Sequence, residues 1–170
     1  MAEEIVNKVA ASGLITIDLE DYYPAGDRVV YDIADNLWQG LALKEKDFRG
    51  FVKEHDWSQY AGQHVAVYCS VDAIVPTWAY MLLASVLEPH AASVVFGSKE
   101  TLETVLYNRA LEAIKPEDFQ DARVVIKGCG NLPVPESAYV ELTRKLKPVV
   151  RSMMYGEPCS TVPIWKRPRK

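Results

Sequence analysis

The sequence predicts an α/β protein with a parallel-sheet core, flanking helices and an antiparallel β-rich N-terminal addition. Short apolar runs alternate three times with helical stretches, which implies parallel strands joined by right-handed crossovers. Strand and turn patterns dominate residues 1–60. Since no linker-like composition divides the 170 residues, we expect a single domain over 1–170. It comprises the β-rich part at 1–60, a β-α-β-α-β-α core at 61–150, and a C-terminal loop and tail at 151–170.

The N-terminal part begins with a strand pattern. Residues 14–19 alternate apolar and polar side chains with the period of two that a half-buried strand requires. Residues 29–33 and 37–43 are predicted to form an antiparallel hairpin closed near Asp35. From residue 44 to about 55, apolar residues fall three and four positions apart, which predicts a helix.

The core region contains three strands that are predicted to be buried on both faces. They are placed at 64–68, 93–96 and 124–126, because these runs are short and almost entirely apolar. Proline tolerates the first turn of a helix, so helices are predicted to open at Pro76 and at Pro135. The apolar stripe of the helix between them consists of Leu102, Val105, Leu106 and Ala110.

Composition and charge exclude several classes of protein. The chain is 49% hydrophobic and 25% charged with a net charge of −4, which is typical of a globular protein. A pI near 5.4 argues against nucleic-acid binding. The basic cluster Lys166, Arg167, Arg169 and Lys170 is interpreted as a solvated tail. Without an export signal or a run of ~20 apolar residues, the chain is expected to be cytoplasmic and to bind no membrane.

Three cysteines provide the main functional signal: Cys69, Cys129 and Cys159. Cys69 and Cys129 each follow a predicted strand and precede a Val-Pro pair that opens a helix. If the two strands neighbour each other in one sheet, both thiols emerge at its carboxyl edge, where α/β proteins bind ligands. Cys159, in the loop-like run 155–161, is predicted to fold over the same edge. Helix N-termini at this edge favour thiolates.

Thiolates in this arrangement predict a bound zinc ion or iron–sulfur cluster. Three cysteines leave one ligand of a tetrahedral site to another group, and Asp72 and Glu157 lie nearest in sequence. The alternative is that the cysteines are packing residues and that the two carboxylates cap helices. The histidines His55, His64 and His90 are predicted to be surface residues away from this edge.

A family resemblance is carried by five segments, namely 5–10 (IVNKVA), 13–21 (GLITIDLED), 69–80 (CSVDAIVPTWAY), 127–129 (KGC) and 156–163 (GEPCSTVP). They resemble an uncharacterised bacterial family known only as a domain of unknown function, and the resemblance covers nearly the whole chain. The resemblance also implies a gene near those of the SUF iron–sulfur assembly machinery. The resemblance therefore implies a role in cluster or sulfur handling, with iron–sulfur assembly proteins as partners. It implies no particular reaction.

The sequence thus predicts a metal- or iron–sulfur-binding accessory protein in iron–sulfur cluster or thiol and metal homeostasis. One alternative is a non-enzymatic protein-interaction module with structural cysteines, whose aromatic N-terminal β elements bind a partner chain. A second alternative is a small thiol-dependent hydrolase or transferase that uses Cys69 or Asp72. The sequence leaves open whether the chain is an enzyme and whether it forms homo-oligomers.

Overall fold

A computed structural model describes residues 13–128, 130–157 and 159–169. The strands in these residues are β1 (Leu14–Ile17), β2 (Arg28–Asp32), β3 (His64–Tyr68), β4 (Ser93–Phe96), β5 (Arg123–Ile126), β6 (Ser152–Glu157) and β7 (Ser160–Lys166). The helices are α1 (Glu45–Glu54), α2 (Thr77–Leu87), α3 (Lys99–Leu111) and α4 (Glu136–Leu146). Among the described residues, no helix has the length and apolar character that a membrane span requires.

The chain divides into two compact units, each with its own sheet. The central unit is residues 25–105, and the terminal unit contains the described residues before 25 and after 105. The strand order is β2-β3-β4 in the central unit and β1-β5-β6-β7 in the terminal unit. All strand pairs are parallel except β6 with β7. The predicted parallel core with flanking helices is confirmed, and the single domain stays a prediction.

Each unit also has its own hydrophobic core. In the terminal unit, buried residues of the sheet such as Val124 and Met153 cluster with Leu142 of α4. In the central unit, Val65 of β3 clusters with Leu83 of α2. These buried side chains hold the helices against their sheets, because burying each large apolar side chain stabilises the fold by roughly 1.5–3 kcal/mol.

The predicted hairpin of residues 29–33 and 37–43 is not formed. β2 pairs in parallel with β3 instead, and residues 37–43 make only isolated bridges. The cause lies at Asp32, whose carboxylate accepts the backbone N–H of Ala34 at 3.0 Å and starts a 3-10 helix. The chain therefore leaves β2 through a helical turn rather than the tight turn that a hairpin needs. The antiparallel pair of this fold lies at its C-terminal end.

The C-terminal segment, predicted to be a loop and tail, contributes strands β6 and β7. The segment contains a glycine and a proline, two residue types that normally interrupt strands, and the sequence pattern therefore resembles a loop. Gly156 has a φ of 119°, and a Cβ there would lie 2.6 Å from the carbonyl oxygen of Ser160. Pro163 lies opposite Met154, next to an irregularity in the β6–β7 register, where proline is tolerated. The antiparallel pair thus accommodates a glycine with a positive φ and a shift in the strand register, and neither can be predicted from the residue pattern.

An internal repeat relates the two units. The offset of 59 residues between the last residues of α2 and α4 also relates the 3-10 helices Trp57–Tyr60 and Pro116–Phe119. It relates Gly97 to Gly156, which have φ angles of 134° and 119°. The same offset relates the buried Ala79, Leu83 and Leu87 of α2 to Ala138, Leu142 and Leu146 of α4. Each unit therefore presents an equivalent carboxyl edge of parallel strands.

Candidate functional site

The terminal unit has a cavity of about 520 Å³ at the carboxyl edge of its parallel strands, which we call the edge cavity. Asp18 follows β1 directly and Lys127 follows β5 directly, and both line the cavity. Its polar lining also includes the hydroxyl-bearing Tyr139 and Tyr155 and the carboxylates of Glu20 and Glu136. Ligands of α/β proteins bind beyond this edge of the sheet.

The centre of the edge cavity is an ion pair between Asp18 and Lys127. The Lys127 ammonium donates to the Asp18 carboxylate at 2.7 Å. The other carboxylate oxygen accepts the backbone N–H of Glu20 at 3.0 Å and so caps the 3-10 helix that follows β1. The hydrogen bond from Lys127 lowers the pKa of Asp18 below its usual value, and the same bond raises the pKa of Lys127.

This ion pair predicts how the Asp18 carboxyl titrates. Because its folded-state pKa lies below the usual 3.8, the carboxylate stabilises the fold above pH 3.8, and this stabilisation is lost as the pH falls through the lowered value. The pKa of Lys127 is raised above 10.5, so its contribution is lost only as the pH rises beyond that. We expect Lys127→Met to raise the Asp18 pKa toward 3.8 in a carboxyl NMR titration.

Asp56 is the internal control for that titration. Hydrogen bonds from Ser58 lower the pKa of Asp56, and Lys127 is not among the causes. Its titration should therefore be the same in the wild type and in Lys127→Met. An Asp18 pKa that stays low in Lys127→Met would show that the ion pair does not control this carboxyl.

Two glycines after β5 lie close to side chains that line the edge cavity. The Tyr155 hydroxyl donates to the carbonyl oxygen of Gly128 at 3.2 Å, and a Cβ on Gly128 would lie 2.5 Å from the Tyr155 ring. A Cβ on Gly130 would collide with the Glu20 carboxylate, which accepts the backbone N–H of Leu132. The glycines thus allow the loop to approach both side chains. Cys129, which they flank in the sequence, lies outside the described residues.

Two other predicted site residues belong to the same edge of the terminal unit. Glu157 is the last residue of β6, and its negative charge contributes to the raised pKa of Lys127 after that of Asp18. Cys159 is exposed in the turn between β6 and β7. Because β5 and β6 are parallel neighbours, the loops that follow them leave the sheet at one edge.

The predicted ligands Cys69 and Asp72 belong to the central unit. Cys69 is half-buried and packs against the central core, and its thiol donates to the carbonyl oxygen of Val71 at 3.3 Å. Asp72 is exposed in the loop that follows. Within the part of the chain that the structure describes, no three His, Cys, Asp or Glu residues are grouped to hold a metal ion. The site of three cysteines stays a prediction.

The neighbouring strands on which that prediction rested are not formed. Cys69 follows β3, which pairs with β2 and β4, whereas Cys129 follows β5 in the sequence, and β5 pairs with β1 and β6. The offset of the internal repeat also matches Cys69 with Gly128, and Cys129 with Ser70. The two cysteines are therefore one position apart in the repeat and follow strands of different sheets.

The histidines differ from one another in their surroundings. His64 is buried, so its prediction as a surface residue is wrong. Its Nε2 donates to the carbonyl oxygen of Ala25 at 2.7 Å, and its Nδ1 is hydrogen-bonded to the Ser93 hydroxyl at 2.8 Å. His90 is exposed. Both ring nitrogens of His64 are thus occupied by structural hydrogen bonds.

Comparison with known proteins identifies the family of the chain. A family model described as a protein of unknown function, DUF2480, matches residues 3–167. The chain belongs to this family. No curated protein and no solved structure matches the DUF2480 chain. The predicted resemblance to an uncharacterised family is confirmed, and the association with iron–sulfur assembly stays a prediction.

Proposed function

We propose that this DUF2480 protein binds a zinc ion or an iron–sulfur cluster at the carboxyl edge of its terminal unit. The observation that carries the proposal is the parallel pairing of β5 with β6. Cys129 follows β5 in the sequence, and Cys159 lies in the turn after β6. Because both loops leave the sheet at one edge, the two thiols can reach a common metal ion.

Carboxylates support a cation at this edge. The edge cavity is lined by Asp18, Glu20 and Glu136, and Glu157 ends the neighbouring strand. Lys127 supplies the ammonium group among the residues that line the cavity. Its positive charge is already neutralised by Asp18, so among the described residues three of the four carboxylates have no such counter-charge. The remaining negative charge favours a metal cation, and Glu157 is the carboxylate that lies nearest to Cys159 in the sequence.

Two thiolates and one carboxylate suit a site that transfers its metal ion or cluster to another protein. Thiolates bind zinc and iron–sulfur clusters alike. Three protein ligands leave the fourth position of a tetrahedral site open to water or to a group from another protein. We therefore assign the protein an accessory role in iron–sulfur cluster or thiol and metal homeostasis in the cytoplasm, with iron–sulfur assembly proteins as partners.

The proposal leaves Cys69 outside the metal site. Its contact with the central core and its thiol hydrogen bond to Val71 are those of a packing residue. The interaction module and the thiol-dependent hydrolase or transferase stay alternatives. The transferase requires Cys69 or Asp72 to react, and the metal site requires neither.

Anaerobic titration of the reduced, metal-free chain with Co²⁺ tests the proposed ligands, because thiolate-bound Co²⁺ absorbs strongly in the visible and near ultraviolet. The wild type should saturate at about one Co²⁺ per chain. Cys129→Ser and Cys159→Ser should each lose the thiolate absorption, and the control Cys69→Ala should retain it. Retention in both serine variants would refute the site, and loss in Cys69→Ala would refute the exclusion of Cys69.

A further inference from the structure

Lys166 and Arg167, two of the basic residues predicted to form a solvated tail, belong to the terminal unit. Lys166 ends β7, and the Arg167 guanidinium donates to the carbonyl oxygens of Val149 at 2.9 Å and Val150 at 3.0 Å. Arg167 also pairs with Asp121, and this ion pair lowers the pKa of the Asp121 carboxyl. The Arg167 side chain is therefore held against the terminal unit, whereas Lys166 and Arg169 are exposed.

Two further arginines lie near Lys166 and Arg167, namely Arg123 in β5 and Arg151, which directly precedes β6. In the strand register, Ser152 of β6 lies opposite Arg123 of β5 on one side and opposite Lys166 of β7 on the other. Residues that face each other in a ladder project from the same face of the sheet, and neighbouring strands are ~4.8 Å apart. Two long cationic side chains can therefore converge on an anion above the Ser152 hydroxyl.

The cations border two cavities of about 380 Å³ and 300 Å³ that share Arg151 and Lys166, and we call them together the basic cleft. Its cationic lining residues are Arg123, Arg151, Lys166, Arg167 and Arg169, and Asp121 supplies its carboxylate. Among the described residues, Arg123, Arg151 and Lys166 form no ion pair. This local excess of positive charge occurs in a chain whose net charge is −4.

We propose that the basic cleft binds a small organic phosphate, with the phosphate group between Arg123 and Lys166. A phosphate offers several acceptor oxygens, and the guanidinium group matches their geometry with paired donors. The 380 Å³ cavity is also lined by Met154 and Pro163, which lie opposite each other in the β6–β7 register and form an apolar wall. This wall suits the organic part of the ligand, which inorganic phosphate lacks.

Isothermal titration of the full chain with phenyl phosphate and with inorganic phosphate tests this site. Phenyl phosphate should bind saturably and more tightly than inorganic phosphate, because only its ring contacts the apolar wall. Arg123→Gln and Lys166→Gln should each weaken its binding about tenfold or more. Arg144→Gln is the matched control, since Arg144 is an exposed arginine already paired with Glu141 on α4, and it should bind as the wild type does.

Several results would overturn the proposal. They are the absence of saturable phenyl phosphate binding, equal affinity in Arg123→Gln and Arg144→Gln, and equal affinity of the wild type for the two phosphates. Circular dichroism of each variant verifies that it is folded. The substituted side chain Arg123 is exposed, so loss of binding in a folded variant reports on the cleft itself.

Discussion

Replacing Glu103 with Ala should lower the free energy of unfolding by about 3–5 kcal/mol, because it removes the carboxylate that pairs with a buried arginine. The Arg28 Nε donates to Glu103 at 2.7 Å, and the two side chains are only 6% and 14% exposed. A second guanidinium nitrogen reaches the other carboxylate oxygen at 3.3 Å. Without the carboxylate, the charge of Arg28 stays in the central unit with little compensation from solvent. Urea denaturation measures the loss.

The control is an exposed ion pair of the terminal unit. Arg144, which pairs with Glu141 one turn earlier on α4, is 73% exposed. Glu141→Ala removes a carboxylate of the same kind, but solvent screens the arginine that remains, so the loss of stability should be far smaller. Equal losses in Glu103→Ala and Glu141→Ala would mean that burial does not determine the importance of the Arg28 pair.

Leu142→Ala and Leu83→Ala should each lower the free energy of unfolding by about 2–5 kcal/mol. Both leucines are fully buried and occupy equivalent positions of the internal repeat, on α4 and α2. Alanine has the highest helix propensity, so the loss reports the cavity left in each core rather than a weakened helix. Thermal and urea denaturation of the two variants compare the two cores directly.

Val140 is the matched control for this pair of variants. It lies on α4 two residues before Leu142 and is 69% exposed. Val140→Ala should change stability by no more than about 0.5 kcal/mol. If it destabilised the protein as much as Leu142→Ala, α4 would present a different face to the sheet than the structure describes.

The sequence predicts the helices and the core strands well, because strong local signals mark them. Pro76 and Pro135 precede α2 and α4, and the apolar runs of β3, β4 and β5 have few other interpretations. Which strands are neighbours is not a local property. An apolar run shows that a strand is buried without showing against what, and so the distribution over two sheets could not be predicted from these runs.

The candidate site was only partly accessible to sequence reasoning. The predicted strand 14–19 included Asp18, although Asp18 follows β1 and lines the edge cavity. Lys127 was part of the segment 127–129 that carries the family resemblance, and no role was predicted for its side chain. The position of charged residues immediately after two strands was the available signal, because ligands bind at carboxyl edges. This signal identifies site residues only when the ends of the strands are known.

Metal content of the wild-type protein tests the central claim most directly. Protein purified anaerobically, without tags or chelators, is subjected to elemental analysis, acid-labile sulfide determination and visible absorption spectroscopy. We expect about one zinc ion per chain, or iron with sulfide and a coloured protein. Protein free of metal after both anaerobic and aerobic purification would contradict it and would favour an interaction module with structural cysteines.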